Sequence, residues 1–334
     1  MLIKIPKPWE IPERLATPED VYMNRRKFVR QLGLGAAGIS AAVAAAGCGV
    51  WIEGSLPELE AADLPPPPPP PPPPDPALYP AMVNGAYTVP ERPVTDEETV
   101  TTYNNFYEFS TRKTEVWQLV GDFQIDPWSV EVTGLVRNPR VYTLEDLLSE
   151  FQLEERLYRF RCVETWAMTV PWTGFPLADL IAAADPLSEA THVRMQSAHD
   201  TTQMPGVAVI PNYPWPYHEG LRLEEATNEM SMLVTGAYGK PLLRQNGAPV
   251  RLITPWKVGY KSIKSIIRIE LVTGQPDTFW HTANRNRYDF LSNVDPDNMF
   301  FGGNQSREFL IPTGDVVPTQ LYNGYQDQVG HLYT

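Results

Sequence analysis

Leu157-Tyr158-Arg159-Phe160-Arg161-Cys162-Val163-Glu164 alternates in character along its length. Tyr158, Phe160 and Cys162 share one face of an extended chain and Arg159 and Arg161 the other, the period of two that marks a β-strand. The same period recurs on both sides. Trp128-Ser129-Val130-Glu131-Val132-Thr133-Gly134 alternates like a half-buried strand, and His192 to Ala198 predicts another. Val250 to Thr254 and Ser265 to Val272 add two more, the second with Ile267, Ile269 and Leu271 in alternation. Helical signals are short. Thr143 with Asp146 three residues on opens a helix that takes in Leu147 and Leu148, and Pro176 to Ala184 has room for about two turns. No strand runs into a GxGxxG or a GKS/GKT loop, so the nucleotide-binding α/β folds find no support. The expected class is α+β, with strands outnumbering helices and much loop.

The whole chain of 334 residues suits one large domain or two ordinary ones. With 43% hydrophobic and 20% charged residues, collagen, coiled coil and wholesale disorder are poor readings. The net charge of −13 is unevenly spread: residues 1–48 hold seven Lys/Arg against four Asp/Glu, and the other 286 hold 20 against 36. So acidic a body is repelled by phosphate backbones, which argues against a nucleic acid ligand. Only two cysteines occur, Cys48 and Cys162, in unlike contexts that do not read as a disulfide framework. The five histidines form no HxH or HExxH pair and there is no CxxC, so a zinc site of close ligand spacing is excluded.

Residues 1–48 read as an address. Arg25-Arg26-Lys27-Phe28 precedes an uncharged, mildly apolar stretch from Leu32 to Gly47, the pattern of a twin-arginine export signal. That stretch is shorter than the roughly 20 residues a membrane span needs. Ala45-Ala46-Gly47-Cys48 resembles a lipoprotein processing site, which makes Cys48 a candidate lipid anchor. Residues 49–100 read as a tether, with Pro65 to Pro74 an unbroken run of ten prolines. As polyproline II that run is a stiff rod about 30 Å long. The folded body is then expected over 101–334.

Cys162 has two readings. Free cysteine is among the most buried residue types, so a structural thiol is one. The other starts from Arg159, Arg161 and Glu164, which make the surroundings polar; nearby positive charge lowers a thiol's pKa and favours the thiolate, a soft metal ligand. One thiolate does not hold a metal, so further ligands must come from a cofactor. Two other segments suit an anion or a cofactor. Tyr103-Asn104-Asn105-Phe106-Tyr107-Glu108-Phe109 packs amide, phenol and carboxylate among aromatics, although an aromatic turn over the core has the same composition. Arg251, Lys257, Lys261 and Lys264 form a local basic exception in the acidic body, and glycines among them let a chain approach a phosphate. A solvated charged face is the alternative there.

At these residues the sequence resembles a known family, the periplasmic protein-methionine-sulfoxide reductase catalytic subunits within the sulfite-oxidase-fold molybdoenzymes. The likeness runs from about Thr101 to Thr334, through YNNFYEF (103–109), RCVETW (161–166), VPWTGFPL (170–177), QMPG (203–206), QNGAPVRL (245–252), PWKVGYKSIKSI (255–266) and LYNGY (321–325). It implies a mixed-sheet, sulfite-oxidase-like molybdopterin-binding domain without the C-terminal immunoglobulin-like dimerisation domain. It further implies one molybdenum held by one pterin dithiolene and by Cys162, with Glu164 beside the metal. By the same resemblance Asn104, Tyr107, Glu108, Asn246 and Arg251 match pterin-contacting positions, and Ser262, Ile263 and Lys264 a phosphate-binding stretch. Ser197 stands where the family more often has threonine, and Ser262 where a relative has glycine. The implied activity is reduction of methionine sulfoxide in periplasmic proteins by oxygen-atom transfer to molybdenum. Electrons would come from the quinone pool through a haem-containing membrane subunit, to a monomeric catalytic subunit. Two rivals stand beside it. A sulfite or other small oxo-compound oxidoreductase shares the fold, but such enzymes follow the metal cysteine with a small residue, Gly and Asn, where Val163-Glu164-Thr165 stands here. A non-catalytic periplasmic lipoprotein, with Cys162 a buried thiol, draws only on the tether.

Overall fold

In a computed structural model of the chain, the described residues are 75–298, 305–311 and 313–334, with the isolated residues 64, 65 and 68. The export segment, Cys48 and most of the proline run lie outside the described residues. Among the described residues thirteen strands, β1 to β13 in chain order, make two mixed sheets. The larger holds β1 (Met82–Val83), β4 (Glu154–Arg161), β5 (Trp166–Pro176), β8 (Met232–Ala237), β9 (Lys240–Pro241), β10 (Arg251–Ile253), β12 (Arg307–Leu310) and β13 (Val316–Pro318). The smaller runs β3 (Arg140–Thr143), β2 (Ser129–Gly134), β11 (Ile266–Val272), β6 (His192–Ser197), β7 (His218–Arg222). With short helices between them this is the α+β class.

β5 organises the larger sheet. It lies antiparallel to β4 from Arg161↔Ala167 to Glu154↔Gly174, its first residues pair in parallel with β12, and its last pair with β8. Nine of its eleven residues are buried, so it reads as a near-continuous apolar run instead of alternating. β4 is also covered on both faces, which departs from the expectation of a polar arginine face. Arg159 is taken up by Glu91, Gln320 and the Asn323 carbonyl, and Arg161 by Gln305 with Glu308 at 3.8 Å as its countercharge, so both are paired inside the fold. Cys162 sits one residue beyond β4. Its amide donates to the Trp166 carbonyl at 2.9 Å, closing a tight turn in which Thr165 has φ 73.

The main core lies between the sheets. Val130, Val132, Val193, Met195, Ile269 and Leu271 from the smaller sheet meet Phe175, Leu233 and Leu252 from the larger. Helix Leu177–Ala184 buries Leu177, Leu180 and Ile181 in the same cluster. Each such side chain contributes about 1.5–3 kcal/mol on burial, and Leu180→Ala is expected to cost about 2–5 kcal/mol. The helix after β3, Leu144–Glu150, starts where the sequence places it. The Thr143 side chain accepts from the Asp146 amide and Asp146 accepts from the Thr143 amide, a reciprocal cap.

The body starts earlier than Thr101. Tyr79 is buried, with its hydroxyl donating to Thr235, and Val83 of β1 pairs in parallel with Glu155 of β4. Val89 and Val100 are buried, and the Thr95 amide donates to the Thr169 carbonyl. Isolated anchors at wide spacing carry no period, so the segment 79–100 looks like spacer until its partners are in place. Beyond β11 the chain returns to the larger sheet through β12 and β13.

Candidate active site

A cavity of about 490 Å³ opens beside Cys162, walled by the 103–113 loop, the turn after β4, the 246–264 segment and aromatics from 210–217 and 279–288. Cys162 is buried, 6% exposed. Its sulfur accepts from Asn105 Nδ2 at 3.3 Å and from the Glu164 amide at 3.4 Å, and lies 3.9 Å from Glu164 Oε2. Burial, reinforced by the Glu164 carboxylate, pushes the thiol up to about 12. Lys113 and Arg161 pull the thiol the other way, but burial outweighs them, which overturns the expectation of a thiol activated by Arg159 and Arg161. The proton leaves such a thiol when a soft metal binds in its place.

Asn104 and Asn246 both donate their amide nitrogens to the Val100 carbonyl at 2.9 Å, which brings the first and third segments together. Asn104 Oδ1 is buried and has no hydrogen-bond partner among the described residues. Glu108 is 4% exposed, and burial pushes its carboxyl up to about 7. The QMPG segment backs this loop: the Gly206 amide donates to the Glu108 carbonyl at 2.8 Å, and a side chain there would stand 2.2 Å from the Tyr107 carbonyl oxygen. Tyr107 meets Trp280 edge to face at 5.5 Å, and burial raises its phenol.

Arg251 is 3% exposed, packs between the rings of Trp172 and Phe160, and donates to the carbonyls of Asn246 and Ser262. Among the described residues no carboxylate pairs with it, and burial pulls its guanidinium down to about 9. Lys264 donates to the Asn105 carbonyl at 2.8 Å; burial, then repulsion from Arg251, pulls it down to about 7. Ser262 and Ile263 complete this wall, the Ser262 hydroxyl accepting from the Thr254 amide. Gly247, at φ 97, lets the loop lie against Lys264, since a side chain there would fall 2.7 Å from it.

Ten of the eleven residues singled out from the sequence therefore line one cavity. Ser197 is the exception. It ends β6, is fully buried, and is not on the cavity wall, with a hydroxyl that finds no partner among the described residues. The basic cluster also divides. Lys257 is buried against Glu225 at 2.6 Å and Lys261 against Glu219 at 2.8 Å, so both are internal ion pairs, and only Arg251 and Lys264 face the cavity. Lys113, Trp166 and Trp280 line the cavity without having been singled out. Trp166 lies inside the quoted RCVETW stretch and Lys113 four residues past YNNFYEF, while Trp280 lies outside every quoted stretch.

The donor set fits a molybdenum-pterin group. Among the described residues no group of three His, Cys, Asp or Glu is placed to hold a metal, so Cys162 is a single soft ligand that needs others from a cofactor. Beside it, an unpaired buried guanidinium and an ammonium suit a phosphate, and the orphaned Asn104 oxygen suits a ring donor. Residues 118–280 match the oxidoreductase molybdopterin binding domain family. Along the whole chain, a protein-methionine-sulfoxide reductase catalytic subunit, MsrP, of Pseudomonas syringae pv. tomato is 39% identical over 343 residues, 100% of this chain and 97% of that one. MsrP of Burkholderia mallei is 42% identical over 328 residues, 97% and 93% of the two chains. The chain belongs to the MsrP family. A solved structure, the sulfane dehydrogenase SoxCD of Paracoccus pantotrophus, aligns with a TM-score of 0.40 at 17% identity, over 62% of this chain and 47% of that one. Within an MsrP chain, Cys162 is the residue that would hold the metal, and Arg251 with Lys264 would neutralise the pterin's phosphate.

Proposed function

We propose that this protein reduces methionine sulfoxide residues of oxidised proteins, in the periplasm after twin-arginine export, with electrons passed from the quinone pool by a haem-containing membrane subunit. Membership of the MsrP family supports the reaction, and the arginine pair ahead of the apolar segment supports the compartment. The observation that carries the reading is a lone buried thiol at a cavity into which Lys264 and the buried Arg251 also face, Arg251 with no carboxylate pairing with it among the described residues. The net reaction consumes one sulfoxide, two electrons and two protons and gives a thioether and water. The bound cofactor supplies the oxygen-atom and two-electron chemistry.

The chain supplies the surroundings. Cys162 anchors the metal, Asn105 donates to its sulfur, and hydrogen bonds to a ligating sulfur tune the centre. Trp280 stacks on Tyr288 at 4.9 Å and, with Tyr260 and Tyr213, walls the cavity in aromatic surface. Aromatic edges and faces suit the sulfur and methyl of a methionine side chain. The test is oxidation of a reduced viologen on adding methionine-sulfoxide-containing protein, with molybdenum content measured in parallel. Turnover by wild type and none by Cys162→Ser is expected. A molybdenum-replete wild type that leaves the sulfoxide untouched would sink the substrate, and sulfite and other oxo compounds would be tried next.

A further inference from the structure

We propose that Lys113 is a positioning residue of this centre: it holds the Glu164 carboxylate beside the Cys162 sulfur but off the metal bound there. The inference rests on the reading of Cys162 as the metal ligand. Lys113 Nζ lies 3.0 Å from Glu164 Oε2, and both side chains are largely buried, 12% and 15% exposed. The same oxygen accepts from Trp166 Nε1 at 3.0 Å and from Asn105 Nδ2 at 3.3 Å. Three N–H donors converge on one oxygen, with the Cys162 thiol a longer fourth, and Lys113 is the charged one among them. That oxygen is already within 3.9 Å of the sulfur. A carboxylate two residues from the ligand, and this close, is a ready metal ligand in its own right once released. It would then compete with the substrate for access to a metal held by Cys162. Lys113 is well placed to prevent this, because its own backbone is fixed: its carbonyl accepts from the Asn104 amide at 2.9 Å, tying the ion pair to the pterin-facing loop.

The experiment uses the full-length, cofactor-loaded protein as wild type, Lys113→Met, Lys113→Arg, Glu164→Gln and the double variant Lys113→Met/Glu164→Gln. Molybdenum content, the electron paramagnetic resonance signal of the one-electron-reduced metal, and KM and kcat with a sulfoxide are read for each. Lys113→Met is expected to shift the resonance and to lower kcat/KM about 10- to 100-fold, the usual size of an outer-shell loss, chiefly through KM. Lys113→Arg should restore both. In the Glu164→Gln background, adding Lys113→Met should change kcat/KM within about twofold, since the carboxylate it restrains is gone. Lys113→Gln, a neutral donor of shorter reach, carries the same comparison if the methionine variant does not load. A wild-type resonance in Lys113→Met, or an equal loss in the Glu164→Gln background, would overturn the inference and leave Lys113 a strut of its loop. A Lys113-dependent resonance in a protein that reduces no sulfoxide would uphold the positioning role and refute the substrate instead.

Discussion

Arg251 and Glu108 face the same cavity with opposite needs. Arg251 is a buried cation that no carboxylate pairs with among the described residues, and Glu108 is a buried acid whose carboxyl burial raises to about 7. If Arg251 pairs with the cofactor's phosphate as proposed, Arg251→Met would leave that phosphate unpaired in a buried site, a loss of about 2–5 kcal/mol, or roughly 30-fold and more in retention. Molybdenum content after gel filtration should fall accordingly while the melting temperature of cofactor-free protein stays close to wild type. A matching loss of cofactor-free stability would make Arg251 a structural strut. Glu108 gives a pH signature. Its folded pKa is raised by burial from 4.5 to about 7, so between those values the folded state binds more protons than the unfolded one. Stability of the cofactor-free protein should therefore fall as pH rises across that window. Glu108→Gln should flatten that slope in thermal melts at pH 5, 6 and 7, and an unchanged slope would assign it to another group. At this scale the sequence was informative where neighbours in the chain are neighbours in space, as for Cys162 and Glu164. It misled where charge was judged without partners: Arg159, Arg161, Lys257 and Lys261 are all spent on carboxylates or amides far away in the chain.

Elements were legible in proportion to the local chemistry that builds them. The helix after β3 could be read because its cap is complete within four residues, and β11 because Ile269 and Leu271 alternate against polar neighbours, although an irregularity between Ile266 and Arg268 puts Ile266 in the core where Ile267 was expected. The edge at residues 79–100 was not legible, because β1 has only two residues and its hold comes from β4 and from Thr235. Two truncations separate these readings. A chain beginning at residue 75 keeps the Tyr79 and Val89 anchors and is expected to melt near the full-length value. A chain beginning at Thr101 strips the parallel partner from β4, removes Glu91 from Arg159 and Arg92 from Glu308, and strands buried charges. It should unfold at least several degrees lower or collect in the insoluble fraction. Equal melting temperatures for the two would restore Thr101 as the true start.

At the scale of the molecule, the cavity is where separate parts of the fold are joined. Cys162 and Trp166 belong to the β4–β5 turn of the larger sheet, the 258–264 segment leads into β11 of the smaller, and the 103–113 loop spans the gap. Without cofactor, the contacts across this junction include the Lys264 bond to the Asn105 carbonyl and the two amides on the Val100 carbonyl. A bound molybdopterin would add anion-to-cation and metal-to-sulfur links across it, and anything that binds only the folded state stabilises by mass action. Removal of the cofactor is therefore expected to act at a distance from Cys162. Protein produced without molybdenum should melt at a lower temperature than the loaded protein. Its extra hydrogen exchange should concentrate in 103–113, 162–166 and 258–264, while β2, β6 and the helix Leu177–Ala184 keep their protection, being packed in the core between the sheets. Exchange that rose evenly over both sheets would mean instead that the cofactor is needed to form the core. That outcome would contradict a cavity built on a body already closed by Leu180, Ile269 and their neighbours.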